Sequence, residues 1–256
     1  MSVYEISDTK CLEKLFQGWQ ETLIWSCMQG CMGRAYADDI TNPKSAQIVI
    51  GDFCFFAGKA NKELVWNKPD DCKSNFIIMI PQNNEWNELI EQTYKESATK
   101  VYRYAIKKER NIFDIVKLKK VVQDIKKTFN IKMIDKDIFN QVIKNTWSQD
   151  LCSQFNDYED YKKRGIGAVV LEDGIVVSGA SSYIVYNEGI EIEIDTRKDY
   201  RRKGLALACG AKLILECLNK GLYPSWDAQN KGSVALAEKL GYHFDKEYIA
   251  YEIVDY

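Results

Sequence analysis

Ile190-Glu191-Ile192-Glu193-Ile194-Asp195-Thr196, then Arg197 to Tyr200, then Arg201-Arg202-Lys203-Gly204-Leu205-Ala206 is the stretch whose reading decides the fold. The first seven residues alternate, which puts Ile190, Ile192 and Ile194 on one side of a strand and Glu191, Glu193 and Asp195 on the other. A short loop follows, and a helix is expected from about Gly204 to Asn219. At the start of such a helix the first backbone N–H groups lack partners, and the positive end of the helix dipole lies behind them. A phosphate or pyrophosphate is their natural ligand. Gly204 lets a ligand approach the backbone closely, Ala206 keeps the next contact small, and Arg201, Arg202 and Lys203 add positive charge. Taken alone the motif is weak, because a basic loop is usually only solvated.

Downstream, the chain runs Trp226-Asp227-Ala228-Gln229-Asn230, then Lys231-Gly232-Ser233-Val234-Ala235-Leu236-Ala237-Glu238-Lys239-Leu240-Gly241-Tyr242. This reads as a strand over Leu222 to Trp226, a polar turn, and a helix over Ser233 to Leu240 stopped by Gly241. The bland interpretation has Asn230 capping that helix and Leu236, Leu240 and Tyr242 filling the core. Upstream, Ala168 to Leu171 and Ile175 to Tyr186 form a hairpin about the turn Glu172-Asp173-Gly174. Asn187-Glu188-Gly189 turns into the central strand, and residues 243 to 254 end the chain as a strand. Before the hairpin come a short strand (Ile131 to Ile134) and helical material from Asp137 to about Phe155.

The first half has a different pattern. Leu12, Leu15, Phe16, Trp19, Leu23 and Cys27 mark an amphipathic helix within residues 10 to 32. Strands are expected at Gln47 to Ala57, Glu63 to Trp66, Asn75 to Ile80 and Lys100 to Ile106. Helices are expected at 84 to 95 and 113 to 129. The lysines on the latter (Lys117, Lys119, Lys120, Lys126, Lys127) read as a solvated face rather than a nucleic-acid patch. The change of pattern predicts two domains, 1–128 of α/β type and 129–256. The two halves are expected to pack rigidly, with the first forming one wall of an acceptor pocket. The alternative is that it serves stability or pairs the chain as a homodimer.

Composition bounds these readings. With a net charge of −2, the chain has no bulk attraction for nucleic acid or anionic membrane. The longest apolar stretch, Ile48 to Gly58, contains Asp52 and is too short to span a bilayer. Met1-Ser2-Val3-Tyr4-Glu5 lacks a basic start and an apolar run, so a soluble, cytoplasmic chain without a signal peptide is expected. The eight cysteines are scattered. Cys27 and Cys31 are spaced for one helix face rather than a metal knuckle, so reduced, mostly buried thiols and no metal site are expected. The single histidine, His243, argues against Ser-His-Asp or Cys-His catalysis and reads as a partly exposed strand residue.

Taken together, strand, RRKGLA, helix, strand and Asn-x-x-Ser-x-x-Leu-x-x-Lys-Leu-Gly-Tyr resemble the GNAT superfamily of CoA-dependent N-acyltransferases. The hallmark of that superfamily is an (Arg/Gln)-x-x-Gly-x-(Gly/Ala) loop followed by an Asn-containing turn and a helix ending in Gly-(Phe/Tyr). The match covers about residues 190 to 242, and element order extends it back to roughly 130. The N-terminal stretch, including Gly51-Asp52-Phe53-Cys54-Phe55-Phe56-Ala57-Gly58, is similar to a two-domain bacterial branch. That branch includes acetyltransferases that inactivate an aminopolyol antibiotic of the zwittermicin type.

The resemblance implies a mixed α/β fold, with a mostly antiparallel central sheet flanked by helices and preceded by a smaller α/β domain. It implies acetyl-CoA as co-substrate and direct acetyl transfer to a primary amine of a small molecule. Amides from Arg202 to Ala206 would bind the CoA pyrophosphate beside Arg201, and the backbone around Asp195, at Ile194 and Thr196, would pair with the pantetheine arm. Asn230 and Ser233 would touch that arm from the other side. Glu193 or Glu191 would take a proton from the substrate ammonium, Glu193 being favoured as nearer the expected thioester. One departure stands out: Ala237 occupies the place where family members often carry a thiolate-protonating tyrosine. Ser233, Tyr242 and Tyr200 are candidate replacements, and unassisted thiolate release is another solution. Ala237 also admits an alternative, a non-catalytic acyl-CoA-binding regulatory module, which thiol release from acetyl-CoA would exclude.

Overall fold

The computed structural model describes residues 2–69, 72 and 74–256, so Met1, which opened the signal-peptide reading, lies outside the described residues. Its strands are β1 (Tyr4–Ile6), β2 (Arg34–Ala37), β3 (Ser45–Ile50), β4 (Phe53–Gly58), β5 (Phe76–Pro81), β6 (Ala98–Ile106), β7 (Phe129–Met133), β8 (Gly167–Glu172), β9 (Ile175–Tyr186), β10 (Gly189–Thr196), β11 (Tyr223–Ser225), β12 (Asp227–Ala228) and β13 (Phe244–Val254). The helices are α1 (Glu13–Phe16), α2 (Thr22–Met28), α3 (Lys62–Trp66), α4 (Asn84–Tyr94), α5 (Ile115–Gln123), α6 (Lys136–Ile143), α7 (Tyr158–Arg164), α8 (Leu205–Asn219) and α9 (Lys231–Leu240). They form two compact units, one of Met1–Arg103 with Glu247–Tyr256 and one of Tyr104–Lys246.

In the first unit β1 to β4 pair antiparallel in succession, and β5 joins β4 in parallel. The end of β13 closes on β5, with Tyr251 opposite Met79 and Val254 opposite Phe76. Phe56 stacks on Trp86 with ring centroids 4.9 Å apart, in a core with Met79, Ile77, Tyr251 and Ile253. Several local expectations are corrected here. The apolar run 47–57 is a hairpin, not one strand, because Gly51 adopts φ +55° and turns the chain at Asp52. Residues 63–66 are helical, since the Asn61 side chain accepts from the Glu63 amide at 2.9 Å and starts a turn. The helix expected over 10–32 is broken at Gly18, where φ is +80°, and resumes at Thr22 beneath a Glu21 cap.

The second unit is built on a five-stranded sheet in the order β11-β10-β9-β8-β7, antiparallel except for the parallel β10–β11 pair. Asp173 and Gly174 both take positive φ, as the hairpin turn between β8 and β9 requires. The helix expected over 113–129 ends at Gln123, and Phe129 instead pairs with Glu172 of β8. The helical stretch expected over 137–155 divides into α6 and a separate 3-10 turn, Gln149–Leu151. His243 directly precedes β13; it is an exposed loop residue, with Nδ1 2.7 Å from Glu109 Oε2. All eight cysteines are free thiols, and burial pushes Cys27, Cys152, Cys209 and Cys217 up to about 12. No helix among the described residues is long and apolar enough to cross a membrane.

Helix α8 packs on one face of this sheet; α6 and the 3-10 turn pack on the other. Two glycines set the distances. A Cβ on Gly210 of α8 would come within 2.8 Å of Leu240 and 3.2 Å of Ile194, so glycine lets α8, α9 and β10 meet. A Cβ on Gly189 would lie 2.0 Å from the Tyr223 carbonyl oxygen, so β10 and β11 can begin side by side only over a glycine. Gly189→Ala is therefore expected to lose about 3 kcal/mol of stability, the upper part of the overpacking range, because the obstacle is backbone. Urea unfolding measures this; an unchanged midpoint would show that the two strands separate freely there.

Candidate active site

The site begins where β10 and β11 part. Their parallel pairing covers three positions, Gly189 with Tyr223, Ile190 with Pro224 and Glu191 with Ser225. Immediately afterwards the register of β10 against β9 shifts, between Glu191 and Ile192. Such a bulge raises the local twist and turns the strand. β10 continues to Thr196 along β9, whereas β11 stops at Ser225 and the chain moves to β12, which pairs with β6. Among the described residues no strand covers the outer edge of β10 beyond Glu191.

The Arg197 amide donates to Val177 of β9, so by strand alternation Ile194 and Thr196 present their backbone groups to the open edge. Thr196 is already engaged there: its N–H donates to Asp195 Oδ1 at 3.0 Å and its carbonyl accepts from Arg201 Nε at 3.3 Å. The Asp195 side chain thus orders the end of the strand, and burial holds its carboxyl above the usual carboxylate range.

Two of the acids expected on one face, Glu193 and Asp195, share it; Glu191 precedes the register shift. Across β9, Glu193 lies opposite Ser181 and Asp195 opposite Gly179, and Leu151 of the 3-10 turn covers Gly179. Ile194 faces the other way, against α8. Burial separates the acids: Glu191 is 4% exposed, while Glu193 and Asp195 are half-buried.

Past Thr196 the loop is organised by its own charges. Arg197 makes a two-pronged bond to Asp199, at 2.8 and 2.9 Å. Arg197 and Lys203 each sit over the Tyr200 ring, at 4.4 and 4.1 Å from its centroid. The Tyr200 hydroxyl donates to Glu172. Arg201, Arg202, Lys203 and Gly204 are exposed, Leu205 is buried and Ala206 half-buried. Gly204 is the N-cap of α8, with φ +80°, no side chain to cap the helix, and open space where a Cβ would stand. The first-turn N–H groups of α8 are therefore left to an outside acceptor, with three cations beside them.

Asn230 caps α9, and Ser233 lies in its first turn. Asn230 Oδ1 accepts from the Ser233 amide at 3.0 Å, and Ser233 Oγ accepts from Trp226 Nε1 at 3.1 Å. Both thus have structural work, as the bland interpretation held for Asn230. Ala237 is buried one turn further on. Of the candidate thiolate-protonating groups, Tyr242 is fully buried, donates to the Pro224 carbonyl at 2.6 Å, and is held well above the usual phenol range by burial. Tyr200 is committed to Glu172. In Ser233 the indole fills a lone pair and leaves the hydroxyl proton free to donate. Sequence reasoning missed Ser225, which carries no motif and shows itself only as the partner of Glu191.

These features have relatives. A family model described as GNAT acetyltransferase matches residues 13–251. An uncharacterized N-acetyltransferase of Bacillus subtilis (strain 168) is 28% identical over 241 residues, covering 90% of this chain and 89% of that protein. The crystal structure of a GCN5-related N-acetyltransferase-like protein from Streptococcus suis 89/1591 superposes with a TM-score of 0.91 at 45% identity, over 96% of this chain and 98% of that one. A GCN5-related N-acetyltransferase from Sphaerobacter thermophilus shares the fold at 11% identity, with a TM-score of 0.59 over 98% of this chain and 95% of that one. A forked sheet, a glycine-capped basic loop and a family match that runs through both units lead to one conclusion: the chain belongs to the GNAT acetyltransferase family and is an acetyltransferase.

Proposed function

We propose that this protein transfers the acetyl group of acetyl-CoA directly to a primary amine of a small molecule. The observation that carries the reading is the fork between β10 and β11, which leads along an open strand edge to the uncapped start of α8. The residues fit CoA. The amides from Arg202 to Ala206 suit its pyrophosphate, Gly204 leaves room for close approach, and Arg201, Arg202 and Lys203 supply countercharge. The outward backbone of Ile194 offers the strand-like pairing that an extended pantetheine arm needs. Acetyl-CoA, when bound, supplies an activated thioester.

The protein's own part is to orient the amine and accept its proton. Glu191, rather than Glu193, is the base this geometry favours, because it lies at the fork itself and is more deeply buried. Ser233 has a hydroxyl proton to offer the departing thiolate, and the modest basicity of a thiolate leaves little for a stronger acid to do.

Two outcomes follow. Gly204→Val should weaken CoA binding at least tenfold in calorimetry, since a branched residue at positive φ displaces the loop. Unaltered affinity would remove the α8 N-terminus from the cofactor site. Glu191→Gln should lower kcat by about 100- to 10,000-fold with CoA affinity retained. The assay is thiol release from acetyl-CoA with putrescine, lysine and glucosamine as amines, and mass spectrometry of the products. Wild-type turnover in Glu191→Gln would exclude this residue as the base. Absence of thiol release by the wild-type protein with all three amines would count against small-amine acetylation.

A further inference from the structure

Ser225, the last residue of β11, is fully buried, and its Oγ has no hydrogen-bond partner among the described residues. A buried hydroxyl left unsatisfied costs about 1–3 kcal/mol, and alanine would fill the same strand position without that cost. Ser225 is also the last residue of β11 in register with β10, directly beside Glu191. Neighbours in register project from the same face of a sheet, so Ser225 and Glu191 leave the fork on one side, with no hydrogen bond between them in the free protein.

The groups around them are aromatic. Tyr186 of β9, Tyr223 of β11 and Tyr242 after α9 are each pushed up first by burial, with the charge of Glu191 among the smaller causes. The Tyr223 hydroxyl is occupied, accepting from the Glu109 amide at 3.1 Å and donating to the Lys107 carbonyl at 3.3 Å. The Tyr242 hydroxyl is given to Pro224. Ser225 carries no such commitment.

We infer that Ser225 Oγ binds the acceptor's amine nitrogen and relays its proton to Glu191, as a second catalytic residue at the fork. This rests on the acetyl-transfer reading given above. In the relay an N–H bond of the substrate ammonium breaks and its proton joins Ser225 Oγ. The serine's own proton passes at the same time to a Glu191 carboxylate oxygen. Serine is regenerated, Glu191 becomes a carboxylic acid, and nitrogen keeps the electron pair with which it attacks the thioester carbonyl. A hydroxyl that costs stability in the free protein thereby gains partners on both sides when the amine binds.

The test compares wild type, Ser225→Ala, Glu191→Gln and the double variant in the thiol-release assay, using whichever of putrescine, lysine and glucosamine reacts fastest. Ser225→Ala should melt at the same temperature as wild type or higher and keep its KM for acetyl-CoA. Its kcat/KM for the amine should fall ten- to a hundredfold. The double variant should be no slower than the slower single variant, because the two groups act on one proton. Wild-type kcat/KM in Ser225→Ala overturns the proposal, as do losses that multiply in the double variant. A lowered melting temperature that accounts for the lost activity would overturn it in favour of a structural role. Failure of the wild type to release thiol with all three amines is a separate result, visible before any variant is made, and overturns the small-amine reading and the relay that rests on it together.

Discussion

The parting of β10 from β11 after the Glu191–Ser225 pair is the constraint on which the rest of the second unit depends. Before it, Gly189 brings the strands so close that no side chain could stand between them. After it, a register shift against β9 lets β10 continue while β11 has ended. A sheet edge left open in this way is ordinarily a liability, because unpaired backbone groups invite another strand. Here the edge is short, its far end is closed by Asp195 and Arg201 on Thr196, and the loop beyond it is charged. What stays available is a few residues of backbone leading to a helix start, an arrangement suited to an extended ligand that ends in phosphate.

Charge in the loop is arranged to leave that helix start positive. Arg197 is neutralised by Asp199, and Lys203 rests on an aromatic ring instead of an acid. Such exposed pairs add little to stability, typically below about 1 kcal/mol, so their main effect is on the shape of the loop. Glu193 and Asp195 lie on the face away from α8, and burial makes ionisation of Asp195 more costly than in water. With its carboxyl raised, the native state gains from protonation of Asp195 at low pH, and that gain is lost as pH rises through its folded-state value. A carboxyl raised by burial in this way is a feature that structural positions and working sites share.

Much of this was legible in the chain itself. Alternation over 190–196 placed the isoleucines and acids on opposite faces because a strand has a period of two, whatever packs around it. Asn230 followed by a helical run announced a cap, because local backbone chemistry decides it. Tertiary structure decided the rest. Phe129 has helical spacing from Ile125 but is drawn into β7 by pairing with β8, a long-range contact that outweighs propensity. Residues 63–66 look like a strand by composition, yet the Asn61 cap makes them a helix. The closure of β13 on β5 joins the chain's last residues to its first unit, and no local pattern encodes such a pairing. Ser225 is an ordinary serine until the fold buries it and sets it beside Glu191. The sequence by itself determined which residues alternate, cap and carry charge; only the tertiary structure decided where two strands part, since that depends on the distance between backbones far apart along the chain.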